Sequence, residues 1–171
     1  MAGLSVNDKT TIYGDRLELT FKGKPLAFGK SCSLEISADT LDTSNKMSAD
    51  WMEYLVGKLS FTLSSNTLLT YSNSSAEGEP ELAKVAKFGD LLATMVERNP
   101  IDFAISKIKK DDSTGDYSSE FDFVTGKAVI TQLSISADDG QIATCSVNLQ
   151  GTGALTIGSE FKGTVIGEAT E

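Results

Sequence analysis

Residues 121–153 read FDFVTGKAVITQLSISADDGQIATCSVNLQGTG, and their alternation decides the fold. Side chains along a strand point alternately to opposite faces. Val129, Thr131, Leu133 and Ile135 therefore share one face, and Ile130, Gln132, Ser134 and Ser136 the other. After Asp139-Gly140, a pair that favours a tight hairpin turn, Ala143, Cys145, Val147 and Leu149 oppose Thr144, Ser146, Asn148 and Gln150. Each arm has an apolar face to bury and a polar face that is small, uncharged and rich in hydroxyl and amide groups. An ordinary solvent-facing strand carries more charge.

The pattern recurs upstream. Ser31, Ser33, Glu35 and Ser37 alternate with Cys32, Leu34 and Ile36, and Lys58, Ser60, Thr62 and Ser64 alternate with Leu59, Phe61 and Leu63. Four strands thus share one polar surface. LEISAD at 34–39 and LSISAD at 133–138 differ at one position, an echo too short for a repeat fold.

Composition narrows the function. The chain has 171 residues, enough for one domain with a real core; the reading is one domain spanning 1–171. A net charge of −9 and a pI near 4.5 argue against gripping nucleic acid or anionic lipid by charge neutralisation. There is no histidine, which removes Ser-His-Asp and Cys-His nucleophile systems and most zinc sites. Cys32 and Cys145 sit far apart on apolar strand faces and read as buried thiols. No segment approaches the roughly 20 apolar residues of a membrane span, and the N-terminus lacks an apolar run of signal-peptide length.

Along the chain, residues 1–10 read as an extended arm. Arg16–Phe21 is a strand, turned at Lys22-Gly23-Lys24-Pro25 into a second strand from Leu26 to Ser37. Phe28-Gly29-Lys30-Ser31 resembles the end of a phosphate-binding loop, but Gly23 is one position too far away and a strand follows where a helix is needed. Alternation stops over 38–57, a long connection holding Trp51, Met47, Met52 and Tyr54. Such a loop fits either an interface anchor or a tryptophan folded onto its own core. A strand at Lys58–Ser64 and a polar linker at 73–79 follow. Pro80 then opens a helix over 80–98, with Leu82, Val85, Ala86, Phe88, Leu92, Met95 and Val96 as its apolar stripe. Ile101–Ile108 is another strand. Asp111, Asp112 and Asp116 form an acidic loop without the glycine and closing glutamate of a calcium loop. Gly151-Thr152-Gly153 reads as strand termination, and 154–171 as a C-terminal arm.

Lys24-Pro25-Leu26-Ala27-Phe28, LEISADTLDTS at 34–44, Asp50-Trp51, Gly57-Lys58-Leu59-Ser60-Phe61, Tyr117, the Gly126–Ser136 strand and LQGTGAL at 149–155 together resemble the major tail tube protein of long, non-contractile-tailed bacteriophages. The resemblance implies a mainly β fold, a β-sandwich with one flanking helix, whose inner sheets join into a β-barrel across a hexameric ring. It implies a structural virion protein, assembled in the host bacterial cytoplasm, whose stacked rings form a conduit for DNA ejection. Tape-measure, tail-tip and tail-terminator proteins would be its partners, with no membrane, cofactor, metal or catalytic residue. On that expectation Ser31, Ser33, Glu35, Ser37, Ser60, Thr62, Gln132, Ser134, Ser136, Thr144, Ser146, Asn148 and Gln150 face the lumen. Asp39, Leu41, Asp42, Met47, Trp51, Met52 and Tyr54, in the 38–57 loop, make inter-ring or inter-subunit contacts. Lys58, a cation on the same predicted face, fits a lumen wall poorly and belongs at a rim or beside an acid. Two other readings compete: the tube of a contractile or type VI-like injection system, and a monomeric β-sandwich that binds carbohydrate. An enzyme built on carboxylate pairs such as Asp39 with Asp42, or Asp50 with Glu53, is the weakest.

Overall fold

A computed structural model describes residues 14, 17–26, 29–48, 51–69, 85–110 and 117–161. The expected N-terminal arm, the 73–79 linker, residues 80–84 of the expected helix, the acidic loop 111–116 and residues 162–171 lie outside the described residues.

Alternating side chains build seven strands: β1 Leu17–Phe21, β2 Lys24–Pro25, β3 Gly29–Asp42, β4 Tyr54–Leu68, β5 Ile101–Lys110, β6 Tyr117–Ser136 and β7 Thr144–Ile157, with helix α1 at Phe88–Glu97 between β4 and β5. They form one sheet in the order β2-β1-β5-β6-β7-β4-β3, with every neighbouring pair antiparallel. The fold is mainly β with one helix.

Successive strands β2 and β3 lie at opposite edges of this sheet, which is possible only because it folds over on itself. Cys32 Sγ of β3 donates to Leu17 O of β1 at 3.8 Å, and the Phe61 and Phe103 rings, from the two halves, lie 5.8 Å apart. The single sheet therefore makes both layers of a sandwich. Its core takes Leu19, Phe21, Ile101, Phe103 and Ile105 from one half and Phe61, Leu63, Val147 and Leu149 from the other. Complete burial of a leucine or valine stabilises by about 1.5–3 kcal/mol, so β7, with Val147 and Leu149, is a principal support. Gly151 serves the same packing: a Cβ there would lie 2.2 Å from the Phe61 ring.

Polar groups turned toward the core are satisfied. Ser65 Oγ donates to Ser31 O at 2.8 Å, Thr67 pairs with Cys145 Sγ at 3.0 Å, and Ser106 donates to Asp122. Glu18, half-buried beside Gly29 where β1 meets β3, has its carboxyl pushed up to about 7 by burial.

The structure corrects several boundaries. The β1–β2 turn is as expected, with Lys22 and Gly23 both at positive φ (49° and 77°), the geometry of a two-residue hairpin turn. The expected Leu26–Ser37 strand, however, is broken: Leu26 bridges Ala86, and β3 starts at Gly29 on the far edge. The 38–57 connection is largely strand, since β3 runs to Asp42 and β4 begins at Tyr54. The Lys58–Ser64 strand is the middle of a longer one. Among the described residues the helix spans Phe88–Glu97, because Ala86 donates to Pro25 O at 2.8 Å and is held extended. Its buried residue is Leu91, while Leu92 and Val96 of the expected stripe are exposed. The buried face is offset from that stripe.

The β6–β7 connection, 137–143, is longer than a tight hairpin, and within its Asp138–Gln141 turn only Gly140 has positive φ. A bulge in β6 between Ile130 and Gln132 puts Ile130 opposite core residue Leu149 and Gln132 opposite Asn148. Ile130 thus leaves the polar face and Val129 joins it, opposite Gln150. Finally, Gly151-Thr152-Gly153 does not end a strand. Gly153, at φ 79°, opens a bulge where β7 residues 153–155 face Gly126 alone, and β7 continues to Ile157. Residues 154–157 are consequently strand, not arm.

Candidate assembly surfaces

The register brings the polar alternates of four strands side by side in rows. One row runs Ser33 (β3), Ser64 (β4), Asn148 (β7), Gln132 (β6). Ser33 and Ser64 hydroxyls meet at 2.6 Å, and Asn148 Nδ2 donates to Gln132 Oε1 at 3.0 Å. The next runs Ser31, Asn66, Ser146, Ser134: Asn66 Nδ2 donates to Ser31 Oγ at 3.2 Å, and Ser134 and Ser146 are hydrogen-bonded. Glu35, Thr62 and Gln150 form a third, where Gln150 Nε2 donates to Phe61 O at 3.0 Å. Ser37 and Ser60 pair at 2.9 Å, and Ser136 lies opposite Thr144.

All thirteen predicted polar-face residues therefore belong to one surface. Ser64 and Asn66 join them, because β4 continues past the expected end at Ser64; the sequence Ser64-Ser65-Asn66-Thr67 keeps the alternation and signals it. Within the β3–β4 and β6–β7 pairs these side chains hydrogen-bond laterally, and Glu35 is the carboxylate of the face. Lys58 stands outside them, at a bulge between Ala38 and Thr40 and beyond the stretch where β4 pairs with β7.

The four-stranded half has two free edges among the described residues. β3 pairs only with β4, and β6 from Val129 to Ser136 pairs only with β7, since β5 stops opposite Ala128. The two edge strands run in opposite directions.

A second surface is the arm formed by the distal parts of β3 and β4. From the Ala38–Leu59 pair at the foot of the bulge outward the hairpin leaves the core, and Leu41, Leu55, Val56 and Leu59 are exposed. Gly57 permits the bulge, its missing Cβ facing the Asp39 carbonyl at 3.1 Å. The tip is ordered by its own hydrogen bonds. Thr43 N donates to Glu53 O at 2.9 Å, Glu53 N to Ser44 Oγ at 2.9 Å, and Met47 N to Asn45 Oδ1 at 2.8 Å. Ser44 N donates to Asp42 Oδ1, and the hydrogen bonds from Ser44 hold the Asp42 carboxyl below its ordinary range. Tyr54 donates to Met52 Sδ at 3.0 Å. This frame turns Met47 and Trp51 outward, 91% and 83% exposed. Trp51 is not folded onto its own core. Asp39, Leu41, Asp42, Met47, Trp51, Met52 and Tyr54 all lie exposed on this arm.

Among the described residues no group of histidine, cysteine, aspartate and glutamate is arranged to hold a metal ion, and no helix is long and apolar enough to cross a membrane.

Comparison with known proteins agrees with this geometry. Residues 18–157 match the family model for phage tail tube proteins. A chain of the native gene transfer agent virion superposes with a TM-score of 0.64 at 15% identity, covering 86% of this chain and 98% of that one. The tail of the empty gene transfer agent particle, refined with C6 symmetry, gives 0.60 at 17% identity over 86% and 98%. The SPP1 tail tube gives 0.59 at 13% identity over 87% and 80%. No curated protein sequence matches. The chain belongs to the phage tail tube protein family, and is a structural, non-enzymatic component of the virion's tail tube.

Proposed function

We propose that this tail tube protein closes into hexameric rings in which the rows of Ser, Thr, Asn and Gln line the lumen, and that the β3–β4 arm joins neighbouring subunits or rings. The rows of polar side chains that the strand register aligns across β3, β4, β7 and β6 are the observation that carries this reading. The hexamer rests on likeness to the gene transfer agent tail with its C6 symmetry.

The free edges supply the closure. β3 of one copy, laid against Val129–Ser136 of the next, forms an antiparallel pair and continues the alternation of strand directions around the ring. Closing a sheet into a barrel removes the exposed edges that would otherwise aggregate. Six four-stranded faces make a barrel of about 24 strands and roughly 45–50 Å between facing backbones, from strand spacing and tilt. Such a bore admits a double helix.

The wall chemistry suits passage of DNA. Lysine or arginine rows would neutralise phosphates and release counterions, which binds DNA strongly. Hydroxyls and amides, already paired along the wall, offer few strong attachments, and Glu35 adds repulsion that fades over a Debye length of about 8 Å. Tape-measure, tail-tip and tail-terminator proteins complete the proposed assembly.

Sedimentation and negative-stain electron microscopy of the concentrated protein, alone and with tail-tip proteins, test the reading. Hollow rings or tubes are expected. Compact monomers under every condition would overturn it.

A further inference from the structure

Tubes need a receiving surface for every projecting one, and the β7 bulge creates a hollow suited to that purpose. Where residues 153–155 face Gly126 alone, the ladder opens into a groove of about 500 Å³ floored by Gly126, Thr152 and Gly153 and bordered by Lys22 and Lys127. Gly153, with open space where a Cβ would stand, leaves the floor open to bulky side chains, while the missing Cβ of Gly126 makes room for Phe103 and Leu155. The border is cationic in a chain of net charge −9: Lys22 stands on the β1–β2 turn with Lys24 two residues on, and the local acid is Asp102, 3.5 Å from Lys127 and exposed like it.

The tip of the β3–β4 arm is the complement. It presents Met47, Trp51 and Met52 as bulky knobs, exposed in their own chain, between the carboxylates of Asp42 and Glu53; among its described loop residues Lys46 is the cation.

Building on the tube reading above, we infer that the groove between the β1–β2 turn and the β7 bulge receives the arm tip of another copy of this chain. The apolar knobs fill the hollow and exclude water, and the lysines and carboxylates around them set orientation. Exposed ion pairs are individually weak, so their role is register and partner choice rather than bulk affinity. The occupant is a second copy because the knobs, the opposite charges and the self-assembling family reside in one sequence.

Charge exchange tests it. Lys22→Glu with Lys127→Glu, and separately Asp42→Lys with Glu53→Lys, should each raise the protein concentration needed for tubes about tenfold or more, while the four substitutions together restore it to near the wild-type value. Thermal melting of the unassembled variants controls for folding. A disulfide formed between copies on oxidation of a Lys46→Cys, Thr152→Cys variant, which keeps the Trp51 knob, gives a second, independent readout, and mass spectrometry identifies it. Three results would overturn the inference and leave the tube reading intact: assembly unchanged by either pair, loss that the combined variant does not repair, or no disulfide between positions 46 and 152 in assembled tubes. Failure of the wild-type chain to associate at all would instead remove both.

Discussion

The β3–β4 hairpin stays paired through the bulge at Ala38–Thr40, yet its two ends meet different surroundings. At the base, Phe61 and Leu63 are buried while Ser60, Thr62 and Ser64 face outward. In the arm, Leu41, Leu55, Val56 and Leu59 are as apolar as the base residues and are exposed. Apolar strand residues therefore signal that a face will be covered, and the single chain shows whether its own core does the covering. Where it does not, a neighbour is the natural cover. Exposed apolar surface on this scale marks an interaction site.

Substitutions at the base should act on folding and substitutions in the arm on assembly. The largest effect is expected from Leu149→Ala, which leaves a cavity between the two halves and should cost about 2–5 kcal/mol in urea unfolding. Gly151→Ala, which drives a methyl into the Phe61 ring, should cost about 1–3 kcal/mol or unseat the ring, with crystallography or NMR locating the shift. Trp51→Ala sharpens the contrast: monomer stability should change by less than about 0.5 kcal/mol, while tube formation is lost. A large drop in monomer stability for Trp51→Ala would erase the distinction between base and arm. Ser134→Ala removes one solvent-exposed hydrogen bond to Ser146 and should cost no more than about 0.5 kcal/mol.

A pH-dependent effect concerns Glu18, whose carboxyl burial raises to about 7 from an unfolded value of 4.5. The protonated form is the one the folded state prefers, so this group's contribution is full below pH 4.5 and is lost as pH rises toward 7. Glu18→Gln should flatten the pH dependence of monomer stability across that window, read by thermal melts at several pH values.

The strands and polar face were legible because alternation with period two states its own facedness: Cys145, Val147 and Leu149 lie where reading β7 puts them. The rest follows from physics that alternation does not carry. The bulge at Thr131 shifts the phase by one residue and moves Ile130 to the core, and nothing in VITQL announces it. The helix stripe is offset because Leu91 and Leu92 are adjacent leucines, and only the sheet beneath decides which is buried. The 38–57 stretch hid its strands because Asp39 and Gly57 form a bulge and because both faces of the arm are uncovered in the monomer. Trp51 admitted two readings in sequence, and only the self-bonded tip between Thr43 and Glu53 shows it turned outward.

Helical reconstruction of the assembled protein by cryo-electron microscopy tests the central claim most directly. The account predicts six-fold rings whose central channel is lined by Ser33, Ser134, Ser146 and Asn148, with β3 of each subunit paired to Val129–Ser136 of the next. A tube in which these residues face outward, or in which those two edges remain unpaired, would contradict it.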